Sequence, residues 1–206
     1  MSYMETYQKW LESPALSAEE KAELQSIAND PKEIESRFFA PLEFGTAGLR
    51  GTMAVGLHNM NVHVVRHATQ AFAEVILAEG AEAAAKGVAV CFDCRNHSAE
   101  FAREAARVMA GNGIPVRLFE SLRPTPELSF AIREYGCIAG INVTASHNPK
   151  EYNGYKVYWS DGAQLPPHHA SAIAKKMEEL DRSTSGEEAG FRAARAARQT
   201  VPMGRE

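Results

Sequence analysis

Thr144-Ala-Ser-His-Asn-Pro149 begins where an apolar run gives way to a polar loop. It sets one hydroxyl, Ser146, beside an imidazole, His147, with the amide of Asn148 and the rigid Pro149 following. A serine at a strand end can be phosphorylated, can attack a substrate, or can satisfy a turn. A hydrolase nucleophile elbow needs glycine two residues to either side. Those positions are Thr144 and Asn148 here, and no acid stands at triad spacing, so serine hydrolysis fits poorly. The basic residues favour phosphate. Arg50 lies in a glycine-rich stretch, Arg95 and Arg123 follow strands, and Lys156 comes ten residues after Ser146. Singly each reads as a solvated surface cation; on one rim they make a cationic pocket. A phosphoserine carries about −1.5 to −2 charges and three acceptor oxygens, and it needs such partners. His147 either holds the loop by hydrogen bonds or orients and polarises the serine oxygen.

Other chemistry-bearing residues say less. Cys91 and Cys94 form a lone C-x-x-C, two ligands where structural zinc wants four, and read as a buried strand-end thiol beside a loop thiol. His168 and His169 follow two prolines with no acid at ligand spacing, and read as surface residues. Twenty-two Lys and Arg against 26 Asp and Glu give a net charge of −4. That disfavours nucleic acid and a polybasic membrane contact. No apolar run nears the roughly 20 residues of a membrane helix, and no secretory signal is apparent at the N-terminus. Three cysteines make an unpromising disulfide framework, so the expected location is the cytoplasm.

The elements that must position these groups follow from periodicity. Residues 1–40 predict a helical arm, with a capping box at Ser17-Ala-Glu-Glu20, Leu24 and Ile27 on one face, and a restart at Asp30-Pro31. Residues 43–60 predict a strand-loop-strand with Arg50 near the bend. Val65, Ala68, Phe72 and Ile76 recur at helical spacing. Val88–Phe92, Val116–Phe119 and Ile138–Val143 predict apolar strands. Between them lie a helix capped by Ser98, stopping at Gly111-Asn-Gly113, and one opened by Thr125-Pro126 that buries Leu128, Ile132 and Tyr135. Gly154–Trp159 alternates like a half-exposed strand, with Lys156 and Tyr158 on one side, and Pro166-Pro167 opens a last helix through Leu180. This pattern predicts an α/β fold: a mixed, mostly parallel sheet with helices on both faces, plus the arm. Ligands bind beyond the carboxyl ends of such strands, where Asp93, Arg95, Arg123 and Ser146 should converge. The expected division is 1–40 arm, 41–182 main domain, and 183–206 a loosely held linker and tail.

Five ordered motifs carry a resemblance: Glu43-Phe-Gly-Thr-Ala-Gly-Leu-Arg-Gly51, Asp93-Cys-Arg95, Arg123-Pro-Thr-Pro-Glu-Leu-Ser-Phe130, Thr144-Ala-Ser-His-Asn-Pro149 and Tyr152-Asn-Gly-Tyr-Lys156. From about Phe38 to Leu180 the chain resembles the phosphoserine-bearing first domain of the alpha-D-phosphohexomutases, above all their phosphoglucomutase and phosphopentomutase branch. The resemblance implies an isomerase acting as an intramolecular phosphotransferase. Ser146 would carry the phosphoryl group and pass it to a sugar monophosphate through a bisphosphate such as glucose 1,6-bisphosphate, interconverting glucose 1- and 6-phosphate. By motif, Ser146, His147, Lys156 and Arg50 would be catalytic. Thr46, Arg50, Arg95, Arg123, Asn148 and Lys156 would bind phosphate. Mg2+ would sit on the phosphoserine oxygen of Ser146. The family's Asp-x-Asp-x-Asp metal loop belongs to a second domain, and no such run occurs in this chain. The expectation is therefore a first domain, incomplete alone, whose partners are a sugar phosphate and the remaining mutase domains. Hexose or pentose preference stays open. The alternative from another class is a non-catalytic sugar-phosphate binder or dimerisation fragment.

Overall fold

The computed structural model describes residues 2–45 and 48–183. Three helices come first: α1 (Tyr3–Glu12), α2 (Ala18–Ser26) and α3 (Pro31–Phe38). Each start is chemically marked. Ser2 and Ser17 both form capping boxes, with Glu5 and Glu20, and Asp30 caps α3 ahead of a proline in its first turn. The arm has its own small core of Tyr7, Leu16, Leu24, Ile34 and Phe38, closed by Val55 from the main domain.

The main domain runs β1 (Leu49–Thr52), α4 (Val62–Ala78), α5 (Ala81–Ala85), β2 (Val88–Phe92), α6 (Ser98–Gly111), β3 (Val116–Leu118), α7 (Thr125–Glu134), β4 (Ala139–Val143), β5 (Tyr152–Trp159) and α8 (Pro167–Ser183). The sheet order is β1-β5-β4-β2-β3. β4, β2 and β3 are parallel, while β5 is antiparallel to both its neighbours, so four of the five strands share a direction. Val88, Val90, Ile141, Val143, Tyr155 and Val157 pack on one face with α4, α6 and α8. Ala89, Cys91 and Tyr158 face the other way, against Leu128 and Ile132 of α7. Helices on both faces explain why the parallel strands read as continuous apolar runs.

Several local expectations are corrected. Among the described residues of 43–60 there is one strand, Leu49–Thr52, and Arg50 stands on it, opposite Gly154, rather than at a bend. β5 lies between β1 and β4, mostly buried, not half exposed. Tyr135 is exposed at 55%, because it falls past the end of α7; the Arg117 guanidinium lies over its ring, 4.7 Å from the centre. His169 is partly buried, stacked on Trp159 at 4.1 Å. The predicted tail falls, from residue 184 onward, outside the described residues.

Gly48 takes φ +99, and a Cβ there would lie 1.9 Å from the Tyr155 carbonyl oxygen. Gly113 takes φ +76 with open space around it. Left-handed backbone costs a non-glycine residue about 1–2 kcal/mol, and a forced steric shift adds about 1–3 more. Urea unfolding should therefore show Gly113→Ala losing about 1–2 kcal/mol and Gly48→Ala about 2–5. Equal losses would mean the close approach at Gly48 is not real.

Candidate active site

Strand direction builds the site. β2 and β4 are parallel and adjacent, so Asp93 and Thr144 leave the sheet side by side, with the Asp93 N–H donating to Val143 O at 3.1 Å. The next residues after Thr144 form a tight turn closed by Asn148 N–H to Ala145 O at 3.1 Å. Ser146 sits in that turn at φ +59, one of two non-glycine residues with positive φ among those described. Such a conformation costs a serine about 1–2 kcal/mol unless the surroundings impose it. Thr144 contributes by accepting the Ser146 N–H on its hydroxyl at 3.0 Å. The Ser146 side chain is exposed, with its hydroxyl 3.4 Å from His147 Nδ1.

Arg95 supplies the rest of the constraint. Its Nη1 donates to the carbonyls of Pro149 at 2.9 Å and Tyr152 at 3.1 Å. Its Nη2 donates to those of Ser146 at 2.9 Å and Asn148 at 2.7 Å. Nε lies 3.3 Å from the Asp93 carboxylate. A guanidinium has five N–H donors, and here all five face the protein. Asp93 is held in turn by the Arg95 N–H at 3.0 Å and the Ser98 hydroxyl at 2.7 Å. Buried Asn153 completes the set, donating to Asn96 O at 2.9 Å and Ser98 Oγ at 3.0 Å. Ser98 is thus the first residue of α6 rather than its cap: His97 holds that position, and the serine hydroxyl is spent on Asp93.

The other expected residues divide. Arg50 reaches the loop, donating to Asn148 Oδ1 at 3.1 Å from an exposed position. Lys156 shares its sheet face, since Arg50 pairs with Gly154 two residues away. Burial pushes the Lys156 ammonium below its ordinary value, and the Arg50 charge adds to this while Asp93 opposes it. Arg123 comes to the rim through its backbone, its N–H bonded to Phe92 O at 3.1 Å. Its guanidinium turns back onto Ser121, Leu122 O and Glu127 of its own segment. Thr46 lies outside the described residues. The Asp93–Ser98–Asn153 network was missed. The one available signal was Asn153-Gly154, two weak strand formers inside a strand.

Cys91 is buried, its thiol pushed up to about 11 by that burial, while Cys94 is exposed and all three cysteines are free. No group of three or more His, Cys, Asp or Glu suited to a cation occurs among the described residues. Ser146 offers one oxygen, where Mg2+ takes about six. The described residues by themselves do not supply the ligands of the magnesium site that the resemblance implies.

Residues 41–184 match the family described as phosphoglucomutase/phosphomannomutase, alpha/beta/alpha domain I. The chain belongs to this family. Human phosphopentomutase is 41% identical over 178 residues, which are 83% of this chain and 29% of that protein. A Staphylococcus aureus phosphoglucomutase is 40% identical over 150 residues, 72% of this chain and 27% of that protein. A solved Thermus thermophilus structure assigned as a phosphomannomutase is similar over 67% of this chain and 30% of its own, with TM-score 0.61 and 34% identity. Parafusin, a Paramecium phosphoglucomutase solved in an open form, gives TM-score 0.55 and 27% identity over 67% of this chain and 25% of its own. The chain thus spans under a third of the length of each of these mutase-family relatives. No helix among the described residues is long and apolar enough to cross a membrane.

The Arg50 and Lys156 pair yields a pH prediction for this domain. Because the folded value of Lys156 lies below the ordinary 10.5, the unfolded chain binds its proton more tightly. The group therefore opposes folding at neutral pH, and stability should rise with pH through the window just under 10.5. Arg50→Gln removes one of the two depressing causes. A 13C-labelled Lys156 side chain, titrated by NMR, should then ionise at higher pH than in the unsubstituted protein. An unchanged midpoint would show that the two cations do not sense each other.

Proposed function

We propose that the chain is the phosphoserine domain of a phosphosugar mutase of the phosphoglucomutase type, with Ser146 as the residue that carries the phosphoryl group. The observation that supports this most is the serine turn itself. An exposed hydroxyl stands in a backbone conformation that costs free energy, next to His147, in a loop that Arg50 reaches through Asn148, and Lys156 shares the sheet face of Arg50. Strain retained at such a point is a mark of function rather than of folding.

The chemistry is a displacement at phosphorus. Ser146 Oγ bonds to phosphorus as the bond from phosphorus to the sugar oxygen breaks. The serine proton passes to His147, and the departing sugar oxygen gains one from the Lys156 ammonium. In the reverse direction the phosphoserine hands its group to a sugar monophosphate. Such transfers depend on placement and charge neutralisation more than on covalent assistance. Arg50 and Lys156 would neutralise the group in flight, and Asn148, held by Arg50, would line the approach. A magnesium ion needs oxygen ligands beyond those of this chain.

Glucose 1-phosphate and glucose 6-phosphate are the proposed pair. Pentose phosphates are the second reading, favoured by the longer match to human phosphopentomutase, 83% of the chain against 72% for the bacterial phosphoglucomutase. Incubation with glucose 1,6-bisphosphate should add one phosphoryl mass at Ser146 by intact-mass and peptide analysis, and Ser146→Ala should abolish it. A label on any other residue would refute the assignment. Lys156→Met should slow the uptake by about 10²-fold, the usual cost of losing one charge-stabilising donor. Faster labelling by ribose 1,5-bisphosphate would move the substrate to the pentose series.

A further inference from the structure

We propose that Arg95 is the positioning residue of phosphoryl transfer, holding Ser146 in its reactive turn from behind without touching the phosphoryl group. The proposal rests on the mutase reading above and reverses the expectation that Arg95 binds phosphate. A phosphate-binding arginine presents its fork to the ligand. The fork is used up: its two terminal nitrogens donate to the carbonyls of residues 146, 148, 149 and 152, and Nε pairs with the Asp93 carboxylate at 3.3 Å. Its side chain is only 12% exposed, whereas Arg50 is exposed and bonded to the loop through a single donor.

The four carbonyls also say what the residue does. They belong to the turn that contains Ser146 and to the segment that returns to β5. With no cation at their centre, four oxygens would converge on one another, and the turn would open to bring each to water. Ser146 would then relax from φ +59 to a commoner backbone conformation, and its hydroxyl would shift from its place beside His147. Asp93 aims the guanidinium, and it is itself fixed by Ser98, whose hydroxyl also accepts from Asn153. The chain of contacts runs from strand β5 through α6 to the loop after β2, and ends on the carbonyl of the reactive serine.

A positioning role and a binding role differ in kinetics. Loss of placement lowers the rate at saturating donor, and a displacement of about 1 Å can cost about 10²-fold. Loss of a phosphate ligand instead raises the concentration needed for half-saturation. The test follows phosphoryl uptake from glucose 1,6-bisphosphate by the 206-residue chain, together with amide hydrogen exchange at Ser146 and Asn148. Arg95→Met should lower the saturated rate by about 10²-fold, leave half-saturation within about threefold, and speed exchange at both amides. Arg103→Met, which removes an exposed cation from α6, should change none of these. Should Arg95→Met fail to fold, Asp93→Asn unsettles the same fork more mildly and should move rate and exchange in the same directions. The proposal is overturned if half-saturation rises tenfold at an unchanged saturated rate, or if exchange at Ser146 and Asn148 is unaltered. An unsubstituted chain that takes no phosphoryl group at Ser146 would show that the transfer needs oxygen ligands beyond those of this chain. The placement claim then stands or falls on the exchange data, faster exchange supporting it and unchanged exchange defeating it.

Discussion

One guanidinium governs the geometry of the site. A loop that turns sharply must do something with its carbonyls, and most surface loops give them to water. Here four of them, within seven residues, point inward at Arg95. Hydrogen bonds from a charged donor contribute about 1.5–3 kcal/mol each, more than those between neutral groups. Even after the cost of withdrawing the cation from water, that is enough to hold one serine at positive φ, a strain of about 1–2 kcal/mol. The serine's geometry is therefore set by a residue fifty-one positions earlier, and the parallel pairing of β2 with β4 is what brings the two segments together.

The charges around this staple are arranged unequally. Asp93 spends its carboxylate on Arg95 and Ser98, so little of it remains for other cations. Arg50 and Lys156 stand on one sheet face, and Lys156 is depressed first by burial and then by Arg50. Two cations left near one another and short of anions form a site with a deficit. Without a ligand that deficit costs stability. A phosphoryl group would remove it and restore the lysine's ordinary affinity for its proton. The same pair thus weakens the empty domain and would be relieved by a bound anion, a trade familiar at functional sites.

Much of this was legible in the sequence, for a physical reason. Parallel strands buried on both faces must be apolar throughout, so Val88–Phe92 and Ala139–Val143 announce themselves. Residues placed just after such strands must gather at one rim, which brought Asp93, Arg95 and Ser146 together on paper. What periodicity cannot give is the direction of a long side chain. Arg95, Arg50 and Arg123 look alike in sequence, yet one is spent on the loop's carbonyls, one touches the loop through the Asn148 side chain from an exposed position, and one turns back along its own segment. Strand neighbours are hidden too. β5 alternates as an edge strand would, but β1 pairs with its free side and buries it. A turn's end is equally hard to place: Tyr135 falls at helical spacing after Leu128 and Ile132, but the helix stops one residue short of it.

The helical arm bears on the site through the segment that follows β1. β1 is four residues long, lies at the sheet edge and has β5 as its one strand neighbour, so pairing alone holds Arg50 weakly. The segment that follows it is gripped by the arm. Glu23 accepts the Val55 N–H at 3.0 Å and the Arg37 guanidinium at 2.6 Å, and that guanidinium also donates to Val55 O at 3.3 Å. Arg37 O accepts the His58 N–H at 2.9 Å, while Val55 and Leu57 pack into the core formed by Tyr7, Leu24, Ile34 and Phe38. Both termini of the Arg50 strand are thereby anchored, one through Gly48 against Tyr155 and the other through Val55 against the arm. Arg50 and Ser146 are then fixed by separate devices. The strand carrying the free cation is held by the arm and by steric fit, and the loop carrying the hydroxyl is held by the fork of Arg95. The two meet at Asn148, whose side chain accepts from Arg50 while its carbonyl accepts from Arg95.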